Sequence, residues 1–293
     1  MRKEQVSARC ILFSFDSPFR TNSFFLNGDK HVFLCDTFLG MEPMEQMKEY
    51  LAASQLSSKP VVVFNSHGDF DHYWGNGSFK SSMILSHELC RLRIEKESEA
   101  ALVTHRDDRQ GRVEIVPPNT VFSERILFAE DGVEFYHTPG HTLDSASCFD
   151  HRDKVLFVGD NVEFPFPQIN ELNSRQYVAT LEEYLRRNPV AIVSGHDDVM
   201  LNDSLLRKNL DYVKDLQTLE VKIASLDRKS KIAHFMNLNT IAEKLKNNGR
   251  NDEALNFYRE TIAVLDQLDD STQGKQEQLK RITEIIDSLH KQQ

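Results

Sequence analysis

The chain has 293 residues, 40% of them apolar, enough for one large packed domain and a small second unit. Its formal charge is −10, and residues 227–293 carry as many basic as acidic side chains, so the whole excess lies in the first 226. Such acidity argues against nucleic acid as substrate, since phosphate binding needs clustered Lys and Arg; no run approaches the roughly eighteen apolar residues of a membrane helix.

The opening Met1-Arg2-Lys3-Glu4-Gln5 leads to no signal-peptide core, so a cytoplasmic protein without a membrane partner is expected. Cys10, Cys35, Cys90 and Cys148 stand singly, and buried reduced thiols are expected rather than disulfides or ligands. Val61-Val62-Val63-Phe64 is a β-branched run of a buried strand, and it ends in Asn65-Ser66-His67-Gly68-Asp69-Phe70-Asp71-His72. Ser86–Val103 reads as a solvated helix with Leu89, Leu92 and Ala100 inward. Val133–His137 alternates like a strand and meets the Pro139-Gly140 turn before His141. Val155–Val158 ends in Gly159-Asp160, and Val190–Ser194 in Gly195-His196. The small residue ahead of each of these three lets the backbone approach closely. Asn202-Asp203-Ser204 caps a long helix carrying Leu205, Leu206, Leu210, Val213, Leu216 and Leu219.

All nine prolines lie at or before Pro189, and only Gly249 and Gly274 follow Gly195. The composition therefore divides the chain into 1–226 and a helical extension, 227–293, after the polar break Asp227–Lys231. Within the extension Ile241-Ala242, Leu245, Gly249-Arg250, Glu253-Ala254-Leu255 and Tyr258 resemble one tetratricopeptide-type hairpin. One hairpin is too few for a peptide-binding array. Its apolar face is expected to pack on the first domain or to form a homodimer.

Two imidazoles and two carboxylates within six residues suit zinc, iron or manganese. The cluster His67–His72 resembles the HxHxDH signature of the metallo-β-lactamase superfamily, with Asp69 in place of the second histidine. His141, Asp160 and His196 follow in the order of that superfamily's motifs, and Asn22–Leu26 with Val32–Thr37 looks like its opening hairpin. The resemblance covers residues 8 to 200 and implies an α/β fold, an αββα sandwich.

It further implies two divalent metal ions, zinc foremost with iron or manganese as alternatives. One would be held by His67, Asp69 and His141, the other by Asp71, His72 and His196, with Asp160 bridging. Asp71 and Asp160 are the expected catalytic carboxylates. The expected reaction is hydrolysis of a small-molecule ester, thioester, lactone or phosphoester by a water activated between the ions. Asp36 and Thr37 are expected to brace the metal loop. His137, Tyr73 and Trp74 are read as structural. Phe164-Pro165-Phe166-Pro167 is either a pocket wall or a rigid loop, and Asp144-Ser145 is read as a turn into the next strand, with a part in the pocket rim as the lesser alternative.

Asp69 adds a charge and a hard oxygen where imidazole is usual, which shifts the first site towards iron or manganese or leaves it weak. Two other readings follow from it. One is a non-haem di-iron oxidoreductase resembling the flavodiiron metal domain, although the remaining chain is too short and helical for a flavodoxin unit. The other is a non-catalytic binding or scaffold protein on the same fold.

Overall fold

The computed structural model describes residues 1–54, 58–172, 174–269 and 271–291. Runs such as Cys10–Phe15 and Thr21–Asn27 are buried at nearly every position, as strands covered on both faces are. The first sheet takes its seven strands in chain order: β1 (Arg2–Gln5), β2 (Cys10–Phe15), β3 (Thr21–Asn27), β4 (Val32–Cys35), β5 (Val61–Asn65), β6 (Met83–His87) and β7 (Thr120–Phe122). Helices α1 (Met41–Ala53), α2 (Phe70–Tyr73) and α3 (Glu88–Thr104) connect its parallel half, β4 to β7.

The second sheet runs β12-β11-β10-β9-β8, with β8 (Arg125–Phe128), β9 (Val133–His137), β10 (Ala146–Asp150), β11 (Val155–Phe157) and β12 (Ala191–Val193). Helix α4 (Ser174–Arg187) crosses over between β11 and β12, which pair in parallel, and α5 (Ser204–Thr218) follows.

Alternation along the strands builds the layers. Leu12, Phe24, Leu26 and Phe33 face Phe135, Cys148 and Phe157 of the second sheet, with the Phe24 and Phe157 rings stacked 5.7 Å apart. Their neighbours Phe13, Phe25 and Leu34 point the other way, onto Met44 and Met47 of α1 and Cys90 and Ile94 of α3. A one-residue slip would exchange these sets, so register is fixed by burial on both sides. Tyr136, Phe149, Leu156 and Ile192 back the second sheet onto α4 and α5. The result is the expected αββα sandwich.

The extension forms α6 (Arg228–Asn247), α7 (Asn251–Asp266) and α8 (Lys275–His290). Its Leu238, Ile241, Leu255, Tyr258 and Leu265 share one buried cluster with α4 and α5, so its apolar face packs on the sandwich. The stretch from Asp227 to Lys231 is less a break than a helix start: Asp227 accepts the Ser230 amide at 2.7 Å and caps α6. Asn237 ties α6 to the loop after β11, accepting Ile169 N–H at 2.9 Å and donating to Pro167 C=O at 2.9 Å and to the Tyr212 hydroxyl at 3.0 Å. Asn237→Ala would take a partner from the buried Ile169 N–H and Pro167 carbonyl and leave the Tyr212 hydroxyl only its 3.1 Å contact with His234 Nδ1, so the unfolding midpoint in denaturant should fall by the equivalent of about 1–3 kcal/mol. An unchanged midpoint would deny that the extension holds this loop.

Helix α3 turns differently from its sequence reading. Ser86 and His87 close β6, and Cys90, Ile94 and Ser98 face inward while Leu89, Leu92 and Ala100 lie outside. The spacing of four along Cys90, Ile94 and Ser98 makes the seam, and the larger leucines occupy the neighbouring, open face. All four cysteines are buried and free.

Candidate metal centre

All seven donors lie just beyond strand ends. His67 and Asp69 sit in the loop after β5, Asp71 and His72 in α2, His141 in the turn after β9, Asp160 after β11 and His196 after β12. Parallel pairing of β4, β5 and β6, and of β11 and β12, brings those ends to one edge of the sandwich. Gly195 permits the crowding: a Cβ there would stand 2.1 Å from Asp160 Oδ1 and 2.9 Å from His72 Cε1.

Hydrogen bonding orients every imidazole alike. His72 Nδ1 donates to Asp36 Oδ2 at 2.7 Å, His141 Nδ1 to the Gln168 carbonyl at 2.8 Å and His196 Nδ1 to the Arg20 carbonyl at 2.6 Å. His67 Nδ1 lies 3.0 Å from Ser66 Oγ, whose own hydrogen goes to Asp36 Oδ2 at 2.7 Å, so the hydroxyl accepts. In neutral rings this leaves four Nε2 lone pairs turned inward. There they meet carboxylates. Asp160 Oδ2 is 3.1, 3.3, 3.5 and 3.9 Å from Nε2 of His196, His72, His67 and His141, and Asp69 Oδ2 is 3.2 and 3.1 Å from those of His67 and His141. Asp71 Oδ2 stands 3.4 and 3.5 Å from His72 and His196.

Lone pairs facing carboxylate oxygens at such distances repel unless a proton or cation lies between them. His72 Nε2 and Asp160 Oδ1, both buried, have no hydrogen-bond partner among the described residues. Three-donor sets formed by His67, Asp69 and His141, and by Asp71, His72 and His196, have their ligating atoms within 4.8 Å of one another. Imidazole and carboxylate are the donors divalent metals take, so the residues present fit such ions.

Without an ion, protons must serve. Burial works against charge on His72, His141 and His196, but the facing carboxylates win: His141 is raised to about 9 and the other two lie well above the ordinary histidine value. Burial likewise opposes ionisation of Asp160 and Asp69, yet the imidazoles hold both well below the carboxylate range.

The raised His141 contributes stability that is complete below its ordinary 6.5 and gone once pH passes about 9. Melting temperature of metal-depleted protein should therefore fall between those values, whereas metal affinity should rise as protons stop competing. A depleted protein growing more stable across that window would contradict this arrangement.

Support extends behind the donors. Asp36, at a left-handed φ of 61°, accepts from Ser66 N–H at 2.7 Å as well as from His72. Thr37 N–H donates to the His72 carbonyl at 2.9 Å, and Thr37 Oγ1 donates to Asn76 Oδ1 at 2.8 Å. The bracing pair is thus where the sequence places it. His137 stacks on His87 at 3.8 Å and bonds to the Leu143 carbonyl, outside the donor cluster. Tyr73 and Trp74 are core. The Phe164–Pro167 stretch divides: Phe166 is buried against Tyr212 at 3.7 Å, while Phe164 is half exposed.

Two neighbours, Arg93 and Glu163, were not legible as site residues, and Asp144 was weighed only as a turn or a part of the pocket rim. Asp144 is more than a turn residue: it accepts Gly68 N–H at 2.7 Å and pairs with Arg93 Nη1 at 3.2 Å. Arg93, on α3, also binds Asp69 Oδ1. Glu163, three residues past Asp160, joins Asp160 and His196 in a third set of donors within 4.8 Å. Desolvation, then the nearby Asp160 charge, pushes Glu163 up to about 7. A lone acid between Val162 and Phe164 was the available signal.

Solved structures share this architecture. A metallo-beta-lactamase from Pontibacter korlensis superposes with a TM-score of 0.58 at 17% identity, covering 73% of this chain and 99% of that one. One from Hirschia baltica gives 0.55 at 14%, covering 72% and 96%. In sequence, N-acyl homoserine lactonase of Bacillus thuringiensis is 26% identical over 148 residues, 47% of this chain and 56% of that protein. The chain thus spans about half the length of the curated relatives it matches. The family model of the metallo-beta-lactamase superfamily matches residues 16–196, more than half the chain and all seven donors. The chain belongs to the metallo-beta-lactamase superfamily, whose fold implies divalent metal binding.

Proposed function

We propose a hydrolase that uses two divalent metal ions and acts on an uncharged carboxylic ester or lactone. The observation that carries this is Asp160 Oδ2, which lies 3.1 to 3.9 Å from all four imidazole Nε2 atoms. A carboxylate so shared suits a bridge between one ion held by His67, Asp69 and His141 and another held by Asp71, His72 and His196. When bound, the ions supply Lewis acidity and bring the pKa of a water towards neutrality.

The chain's own residues do the rest. Asp36 and the carbonyls of Gln168 and Arg20 lock the imidazole tautomers, which keeps Nε2 available without rearrangement. In this reading Asp71 and Asp160 would orient the attacking water and take its proton. Phe19, 6.3 Å from the His196 ring, flanks that side of the cluster with an exposed ring, while the Phe164 ring carries the Lys208 and Lys229 ammonium groups at 5.4 and 4.7 Å. Glu163 lies within 4.8 Å of the Asp160 and His196 donor atoms and Asp197 follows His196, and these acidic groups beside the Phe19 ring support a neutral, partly apolar substrate over a phosphoester anion. Similarity to the N-acyl homoserine lactonase supports the same class.

Elemental analysis together with a panel of lactones, esters, thioesters and phosphoesters tests this. Zinc or manganese with turnover of lactones or carboxylic esters is expected. Asp69, a hard oxygen donor, also supports the di-iron reading. Two irons with oxygen uptake and no ester turnover would replace the hydrolase by that oxidoreductase.

A further inference from the structure

We propose that Arg93 is the positioning residue that makes Asp69 a one-oxygen metal ligand, doing for a carboxylate what ring geometry does for the histidine usual at this place. The inference rests on the two-ion reading above. A carboxylate has two equivalent oxygens and rotates about its last bond, so alone it offers a metal one oxygen or both. Here the two are differentiated: Oδ2 faces His67 and His141 at 3.2 and 3.1 Å, while Oδ1 is taken by Arg93 Nη2.

Arg93 is itself held from two further sides. Its Nη1 lies 3.2 Å from Asp144 Oδ1 and its Nε 3.0 Å from Glu97 Oε2, one helical turn on. Asp144 closes the frame by accepting Gly68 N–H at 2.7 Å through its other oxygen, so the guanidinium and the ligand loop share one anchor. Gly68 is what lets the loop approach: a Cβ there would stand 3.2 Å from Asp144 Oδ2 and 3.3 Å from Arg93 Cβ and Cδ. Only a planar fork reaches three acceptors in this way; a lysine supplies a point charge. With Glu97 half exposed and screened by solvent, the Asp69 and Asp144 contacts dominate.

The test is metal binding, read by chelator competition and by the absorption of cobalt-substituted protein. Wild type should bind two ions per chain; fewer would sink the two-ion reading itself, apart from Arg93. Given two, Arg93→Ala should weaken one of them by about 10- to 100-fold and alter the cobalt spectrum. Arg93→Lys should recover only part of the affinity. In an Asp69→His background, Arg93→Ala should cost almost nothing, since an imidazole needs no clamp. Asp144→Asn, which keeps a group to accept Gly68 N–H, should produce a smaller loss and reports on the clamp if Arg93→Ala folds poorly. Undiminished affinity in Arg93→Ala, or an equal loss in the wild-type and Asp69→His backgrounds, would overturn the inference.

Discussion

Asp160→Asn should abolish turnover, lowering kcat/KM by at least about a thousandfold, and should reduce bound metal from two ions to one or none. The carboxylate's Oδ2 lies within 3.9 Å of all four imidazole Nε2 atoms, and its Oδ1 has no hydrogen-bond partner among the described residues. An amide of the same shape removes the negative charge that offsets two dications and turns one acceptor into a donor aimed at them. The same change relieves the depleted protein. With Asp160 gone, the force that holds His72 and His196 above the ordinary histidine range weakens. Lower metal content with a depleted fold at least as stable at high pH is the expected pair of results. Wild-type metal content and turnover in Asp160→Asn would place the centre elsewhere.

Glu163→Gln carries the second large effect. The carboxyl sits on the same side as Asp160 and His196, and its neutral form is favoured by desolvation and by the adjacent negative charge. A carboxylic acid still partly protonated near neutral pH can give its proton to a departing alkoxide, a contribution of about 10²- to 10⁴-fold. We expect kcat to fall by that amount for lactones and alkyl esters, with metal content unchanged. A nitrophenyl ester, whose leaving group needs no proton, should lose little. Loss of a metal ion would make Glu163 a ligand instead; equal loss on both substrates would make it structural.

The large features were legible because each rests on a local rule. Short apolar runs ending in Gly-Asp or Gly-His announced strands whose ends carry donors, and the structure gathers those donors at one edge. The helical extension was legible from its lack of proline and its apolar periodicity. That it shares a core with α4 and α5 was not, because periodicity reveals a buried face and not what covers it.

What the chain concealed is mostly tertiary. Arg93 stands 24 residues after Asp69, and with Glu97 four residues on it looks like an ordinary surface pair of a solvated helix. Asp144 looked like a turn because it is one; its second task needs Gly68, 76 residues earlier. The inward face of α3 was misread for a related reason. Cys90 and Ser98 are small and close to the sheet, so the visible leucines fall outside the seam.

The most direct measurement is a titration of the metal-depleted protein with zinc, manganese or ferrous iron, following lactone hydrolysis and bound metal together. Hydrolysis absent from the depleted protein, rising with added ion and reaching its plateau at two ions per chain, is the predicted result. Hydrolysis that survives complete depletion, or no ion retained by the cluster of His67, Asp69, Asp71, His72, His141, Asp160 and His196, would contradict it.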